Sequence, residues 1–465
     1  MSVVDLNDTI VAQATPVGEG AIGIIRLSGP RSKEILSKIF RDRKAAGPPA
    51  KWFESHRLYA GKIVHPDSAQ AVDEVMAVWM KRPNSFTGEE MVEIQGHGGP
   101  IVLKQLIGLT VELGARLAEP GEFSKRAFLN GKIDLSQAEA VADLIAAQSE
   151  WGAKNALSQL NGTLSEIVRR LRGRIIEIMA QIEAGFDFVE EDVQTFKQED
   201  GLRLLGEMKE EIGRLLDSFQ TGRLYKEGLR VVLVGKPNVG KSSLLNALLN
   251  EEKAIVHEQP GTTRDILEGE RMIHGIRAIF HDTAGIREAE NSVEEEGIRR
   301  SNEILKKADL VLLLLDSSRE LSPEDQQLLE QINLRRCIII YSKSDLPPSW
   351  DPTSQIVGTL PIIRLSAKNR TGIEALMEKI YDVSLKNKLI KDHNYVLNNV
   401  RHYKGLGKIH LKLEELTLGI GKGLMKEECL VEELRIIADD LSGITGEITS
   451  ETVLDEVFSR FCIGK

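Results

Sequence analysis

"LRVVLVGKPNVGKSSLLNALL", Leu229 to Leu249, decides the class of fold. An apolar run, Leu229–Val234, meets a glycine-rich turn and then helix-forming sequence. Inside it, "GKPNVGKS" (Gly235 to Ser242) fits G-x-x-x-x-G-K-[ST] in the strand–loop–helix order that a phosphate-cradling loop requires. The glycines let backbone N–H groups curl around phosphate oxygens, and the helix N-terminus adds its dipole. Lys241 supplies a positive charge to the outer phosphates, and Ser242 presents a hydroxyl to Mg²⁺. Asn238, Val239, Gly240, Lys241, Ser242 and Ser243 are therefore expected nucleotide contacts.

Downstream, "RAIFHDTAG", "DLVLLLLD" and "RCIIIYSKSD" are apolar at nearly every position and alternate with helical segments up to about Ile380. Such runs suit strands covered on both faces of a mostly parallel sheet. Three strand ends carry polar motifs. In "DTAG" (Asp282, Thr283, Ala284, Gly285) the carboxylate suits Mg²⁺ held through water, and the Gly285 N–H suits a γ-phosphate. In "SKSD" (Ser342 to Asp345), Asp345 can accept from guanine N1–H and the 2-amino group, a pattern adenine lacks; Lys343 lies between. "SAK" (Ser366, Ala367, Lys368) closes the base pocket. Each later motif is weak alone, but their order after the phosphate loop predicts a GTPase. Two features depart from a Ras-like switch. Ile286, not a water-orienting glutamine, follows Gly285, and the guanine motif begins with Ser342 instead of Asn.

Upstream, residues 1–128 mix short strands with turns, an α+β pattern. "GAIGIIRLSG" (Gly20 to Gly29) and "AVDEVMAVWM" (Ala71 to Met80) read as strands, and "VEIQGHGGP" (Val92 to Pro100) as a strand entering a glycine-rich turn. His97 in that turn suggests a catalytic base, but the preferred reading is a structural turn histidine, since no partner is visible. Residues 129–222 read as helical. "SQAE" (Ser136 to Glu139) fits a capping box. Leu157, Leu160, Leu164, Ile167, Leu171, Ile175 and Ile178 mark one face of a long helix. A second amphipathic stretch covers about 200–220. Residues 385–465 are helical again, with Leu406, Ile409, Leu413 and Leu416, then Leu430, Leu434, Ile437 and Leu441. The expected architecture is a multidomain α+β and α/β chain: an N-terminal domain, and a helical bundle interrupted by a P-loop GTPase domain over 223–384. Nearby chain ends make such an insertion easy.

Of 465 residues, 42% are hydrophobic and 28% charged, ordinary for a globular protein, and no run reaches the ~18 apolar residues of a membrane span. The start, "MSVVDLNDTIVAQ", lacks the basic run and apolar core of a signal peptide. Three cysteines make no disulfide framework, so the expected compartment is the cytoplasm. A net charge of −10 argues against a chain-wide polyanion surface but allows a local one.

"GTTRD" (Gly261 to Asp265), "QGHGGP", "PGEFSKRAFLNGK" (Pro120 to Lys132), "DTIVAQATPVGEGAIGIIRLSG" (Asp8 to Gly29) and the closing "FCIGK" together resemble the MnmE (TrmE) family of bacterial and organellar tRNA-modification GTPases. The resemblance covers nearly the whole chain. It implies a folate-binding N-domain that forms a homodimer, and a helical domain carrying the GTPase domain. It implies GTP hydrolysis helped by Mg²⁺ and K⁺, and a heterotetramer with an FAD-dependent partner, MnmG. Together the two proteins would add an aminomethyl-type group, or its carboxymethyl derivative, to carbon 5 of the tRNA wobble uridine. The one-carbon unit would come from 5-formyl- or 5,10-methylene-tetrahydrofolate. Carried over by motif, Asn238, His257, Gln259, Gly261 and Thr262 belong to the K⁺ and nucleotide site. Thr263 joins Ser242 at Mg²⁺, and Glu294, beside Glu295 and Glu296, orients water. Arg26, Glu93, Lys132 and Lys465 are the implied folate contacts. The rival reading is a GTP-regulated RNA or ribosome assembly factor without modification chemistry. A membrane-remodelling GTPase lacks a lipid-binding segment here.

"FCIGK" (Phe461 to Lys465) allows three readings. Cys462 has the spacing of a prenylation signal, but Gly464 fills an aliphatic position and Lys465 is an unusual last residue. Cysteine can also serve as a small buried hydrophobe. The preferred reading is a docked tail, because Leu454, Val457, Phe458 and Phe461 recur at helical spacing. They would pin the tail to the helical domain and aim Cys462 at the folate site as nucleophile or proton carrier.

Overall fold

The computed structural model describes residues 7–43, 53–187, 198–249, 268–282, 305–331, 336–351, 360–386 and 395–465. The chain divides into two compact units. One comprises Met1–Ala142, Gln159–Met179 and Leu434–Lys465; the other comprises Asp143–Ser158 and Ala180–Glu433.

The first unit holds a seven-stranded sheet in the order β3-β4-β5-β6-β2-β1-β7. Its strands are β1 (Ile10–Gln13), β2 (Gly20–Ser28), β3 (Phe40–Asp42), β4 (Leu58–Val64), β5 (Ala71–Met80), β6 (Met91–Gly98) and β7 (Arg116–Leu117). Neighbours run antiparallel except β1 and β7. Alternation assigns the faces. Ile25 and Leu27, Val75 and Ala77, and Val92 and Ile94 turn inward onto helices α1 (Ser32–Ile39) and α2 (Pro100–Glu112). Arg26, Met76, Glu93, Gln95 and His97 occupy the opposite face. His97 lies in strand β6, not in a turn, because Gly96 and Gly98 are strand residues. A Cβ on Gly96 would sit 2.4 Å from the Asp73 carboxylate, and one on Gly98 2.4 Å from the Gly20 carbonyl.

Helices α3 (Glu122–Leu129) and α4 (Leu135–Ala146) follow. The capping box exists two residues earlier than the sequence suggests. Gln137 N–H donates to Asp134 Oδ1 at 2.9 Å, and Asp134 N–H to Gln137 Oε1 at 3.0 Å. Ser136, already inside the helix, donates to Asp134. The apolar face expected on one long helix is split between α5 (Glu150–Leu160) and α6 (Thr163–Asp187). Gly162 breaks it at φ +90°, a conformation natural to glycine. Leu164, Leu171, Ile175 and Ile178 are fully buried, whereas Leu157 is half exposed.

The second unit holds a six-stranded sheet, β13-β12-β11-β8-β10-β9. Its strands are β8 (Leu229–Val234), β9 (Glu268–Ile273), β10 (Ile276–Asp282), β11 (Leu310–Asp316), β12 (Cys337–Ser342) and β13 (Ile362–Arg364). All pairs are parallel except β9 with β10. The continuous apolar runs reflect two covered faces. Val231, Leu233, Leu312, Leu314 and Ile340 join one core, and Val232, Val234, Leu313, Leu315 and Ile339 the other. Helix α7 (Gln198–Glu227) extends both ways beyond the expected 200–220 and packs along the helix Val400–Gly421, with Phe219 stacked on Tyr403 at 4.3 Å. The chain re-enters the helices beside its exit. Asn155 exchanges two hydrogen bonds with Val396, and Ser218 accepts from Leu397 N–H at 3.0 Å.

Candidate functional site

The loop after β8 and the start of α8 (Lys241–Leu249) form the phosphate cradle. Gly235 and Gly240 have φ of +154° and +104°, and Asn238 has the left-handed φ of +62°. Gly235 also has no room for a side chain, since a Cβ would meet Leu314 O at 2.7 Å. Lys241 is buried, and its ammonium donates to the carbonyls of Gly235 and Lys236, both at 2.8 Å. Parallel pairing of β8 with β10 brings Asp282 beside the cradle, where Ser242 Oγ donates to its carboxylate at 2.8 Å. A hydroxyl and a carboxylate so placed are the hard oxygen donors Mg²⁺ takes.

The base pocket lies past the ends of β11 and β12. It has a volume of about 280 Å³ and is lined by Val239, Gly240, Lys343, Asp345, Ala367 and Lys368 among others. Asp345 is exposed, and Ser366 Oγ donates to it at 2.6 Å, which holds its carboxyl below the usual range and fixes its direction. Lys343 pairs with Asp316 at 2.7 Å. Ser342 is buried, with its hydroxyl near the carbonyls of Val239 (2.9 Å) and Leu315 (3.0 Å). It ties the base motif to the phosphate loop, a task the short hydroxyl performs without an amide.

His257, Gln259, Gly261, Thr262, Thr263, Thr283, Ala284, Gly285 and Glu294 lie outside the described residues.

In the first unit, Arg26 and Glu93 face each other across β2 and β6 and form an ion pair, with Arg26 Nη2 at 2.7 Å from Glu93 Oε1. The guanidinium also sits 5.9 Å from the ring centres of Phe86 and Phe123. The tail brings Lys465 near this pair, since Gly464 packs on Gln13 and β1 pairs its neighbour Ala12 with Arg26. Burial first, then the charge of Arg26, pushes the Lys465 ammonium below the usual pKa, and Glu93 opposes the shift. Lys132 donates to the Pro83 carbonyl at 3.2 Å, on the loop that carries Phe86.

The tail reaches this site by packing. Leu454, Val457, Phe458 and Phe461 are buried against Leu135 and Ala138, with Phe128 and Ile133 beside them. Cys462 O then accepts from Gly121 N–H at 3.5 Å, while the Cys462 side chain is exposed. Gly464 explains its own identity. It has φ +94°, and a Cβ there would lie 2.2 Å from the Gln13 carbonyl. Gly121, at φ +71°, likewise leaves 2.5 Å to Phe458 O. The tail therefore docks on the 121–142 segment and the end of β1, both in the first unit.

Sequence reasoning missed two features. One is the partner of His97: Asp73 takes the His97 N–H at 2.8 Å and the ring Nδ1 at 2.6 Å. The other is Arg126, fully buried among Asp8, Glu89 and Glu122. A charged residue inside "PGEFSKRAF" at helical spacing from Glu122 was the available signal for the second.

Among known proteins, residues 135–462 match the family model described as the MnmE helical domain, and residues 9–132 match that of the GTP-binding protein TrmE N-terminus. The tRNA modification GTPase MnmE of Alkaliphilus metalliredigens is 41% identical over 464 residues, covering 99% of this chain and 100% of its own. Its namesake from Natranaerobius thermophilus is 40% identical over 461 residues, with coverage of 99% and 100%. Among solved structures, the G domain of the T. maritima FeoB iron transporter is 30% identical, covers 33% of this chain and 98% of its own, and has a TM-score of 0.26. Matched along nearly its whole length by these relatives and by both family models, the chain belongs to the MnmE family of tRNA modification GTPases.

Proposed function

We propose that this GTPase depends on K⁺ and works with an FAD-dependent, MnmG-like partner. The pair would modify carbon 5 of the tRNA wobble uridine with a one-carbon unit from tetrahydrofolate. The observation that carries the reading is the Arg26–Glu93 ion pair beside the docked tail, whose Gly464 packs on Gln13 next to the strand pair Ala12–Arg26. A purely GTP-regulated assembly factor has no use for such a site. The flat, hydrogen-bonding pterin suits it: Glu93 can accept from ring N–H groups, Phe86 and Phe123 offer apolar walls, and Arg26 and Lys465 can donate to the ring carbonyl. When bound, the folate supplies the one-carbon unit.

At the nucleotide site, Lys241 and the loop N–H groups bind the phosphates, and Ser242 with Asp282 holds Mg²⁺. Asp345, aligned by Ser366, selects guanine. Asn238 is exposed on the phosphate loop, a position that supports the reading of a K⁺ ligand; His257, Gln259 and Thr262 would complete the cation site, with Thr263 at Mg²⁺ and Glu294 orienting water. A cation there offsets charge that develops in the transition state. We assign the folate-binding and dimerising domain to 1–128, the helical domain to 129–222 and 385–465, and the GTPase domain to 223–384. Cys462, exposed at the tail, is the candidate nucleophile or proton carrier. No described helix is long and apolar enough to cross a membrane.

The test is reconstitution of this chain with its flavoprotein partner and unmodified tRNA. Modification should require GTP, K⁺ and methylene-tetrahydrofolate together. Modification that proceeds without folate would sink the one-carbon assignment, and equal GTP turnover in Na⁺ and K⁺ would sink the cation assignment.

A further inference from the structure

The face of the N-terminal sheet that carries Arg26 and Glu93 continues past them. Glu93, Gln95 and His97 alternate onto that face, opposite Arg26, Ile24 and Ile22 of β2, and Met76 lies opposite Gln95 on β5. The face thus has a polar end at Arg26 and Glu93 and an apolar middle at Ile24 and Met76. Its second polar end is a cavity of about 380 Å³ lined by Ile22, Met76, Gln95, His97, Lys62 and Arg43 among others. Four residue steps along β6 separate Glu93 from His97, roughly 13 Å.

His97 is held for use. The Asp73 carboxylate, with its side chain 7% exposed, clamps both the backbone N–H and the ring Nδ1. The ring itself is 72% exposed, with Nε2 on the side away from the clamp. The hydrogen bond to Asp73 and then its charge raise the imidazole above its ordinary pKa, favouring a cation. The cavity's own carboxylate, Glu74, is matched by Lys62 at 3.0 Å.

We propose that this face is a two-ended folate cradle, in which His97 and Lys62 take the carboxylates of the glutamate moiety while Arg26, Glu93 and Lys465 hold the pterin end. The inference rests on the folate reading above. The spacing is that of an extended folate: the aminobenzoyl ring would lie over Ile24 and Met76, and the glutamate would reach the cavity. Charge-assisted hydrogen bonds to carboxylates make this end a contributor to affinity.

Calorimetry on the full chain separates the two ends. Wild-type protein should bind 5-formyltetrahydrofolate about tenfold more tightly than 5-formyltetrahydropteroate, which lacks the glutamate. His97→Asn keeps an N–H for Asp73 but removes Nε2, and Lys62→Gln removes the ammonium. Each variant should lose most of that discrimination while its pteroate affinity stays at the wild-type value. Full discrimination in both variants would overturn the glutamate subsite and leave the folate reading standing. Failure of wild-type protein to bind either compound would overturn the folate reading itself, and the cradle with it.

Discussion

The two sheets build their sites in opposite ways. The nucleotide site stands at the ends of parallel strands covered on both faces, and each of its parts is a short motif. Ser242 meets Asp282 because β8 and β10 pair in register, and Ser366 meets Asp345 at the adjacent strand ends. The N-terminal site stands on the open face of an antiparallel sheet, and its parts come from β2, β6, α3 and residue 465. The first is assembled by local sequence and sheet order, the second by long-range docking. A site of the first kind fails one contact at a time. The second fails whenever any supporting surface moves.

The sharpest way to break this contrast is Asp345→Asn. Two hydrogen bonds to a charged acceptor are worth about 3–6 kcal/mol together, so GTP affinity should fall by at least a hundredfold while XTP becomes the better ligand. Folate affinity should not change. Fluorescent-nucleotide titration checks this, and unchanged GTP binding would remove Asp345 from the base site.

Arg126→Met probes the other region. Removing the cation would leave the buried Glu122 and the part-buried Glu89 without it, at a cost of about 3–5 kcal/mol. Thermal unfolding should show an early transition of the N-terminal region, with guanine-nucleotide affinity retained. A single unshifted transition would mean the network is structurally idle.

The same network sets an acid limit. Burial works to raise the carboxyls of Asp8 and Glu122, yet hydrogen bonds, from Arg116 foremost and also from Arg126, overcome it and hold both below the ordinary range. A depressed carboxyl stabilises the fold above its unfolded pKa of about 4, and that contribution is lost as pH falls through the lower folded value. Unfolding of the N-terminal region should therefore steepen below about pH 4 in wild type and less so in Arg126→Met. Circular dichroism against pH checks the sign.

The smallest expected effect is Ser342→Asn. The amide can keep the tie to Val239 and add a contact toward the base, a gain of about 1 kcal/mol or roughly fivefold in GTP affinity. Equal or weaker binding would show that the serine is the better bridge in this pocket.

What the sequence revealed follows the same division. Strands β8, β11 and β12 were legible because double burial makes them apolar at nearly every position, and the GTP motifs because each is contiguous. The helix break at Gly162 was hidden, since Leu160 and Leu164 keep the spacing of an unbroken face. The capping box was displaced because Ser136 and Asp134 are both capping types, and only geometry shows which carries the exchange with Gln137. His97 looked like a turn residue because its glycine neighbours mark close approaches to Asp73 and Gly20, not a bend. The Arg26–Glu93 pair spans 67 positions, and no local pattern reports it.

The docking of Gly464 against Gln13 also orders events during synthesis. Gln13 leaves the ribosome about 450 residues before Gly464, which at ~5–20 residues per second is roughly 20–90 s. Throughout that interval the N-terminal sheet can pair its strands, while the site on it still lacks Lys465 and the groove by β1 lacks its tail. The N-terminal sheet is thus made before the GTPase sheet yet finished after it, and a chain cut short before Gly464 carries a complete GTPase sheet and an incomplete N-terminal site.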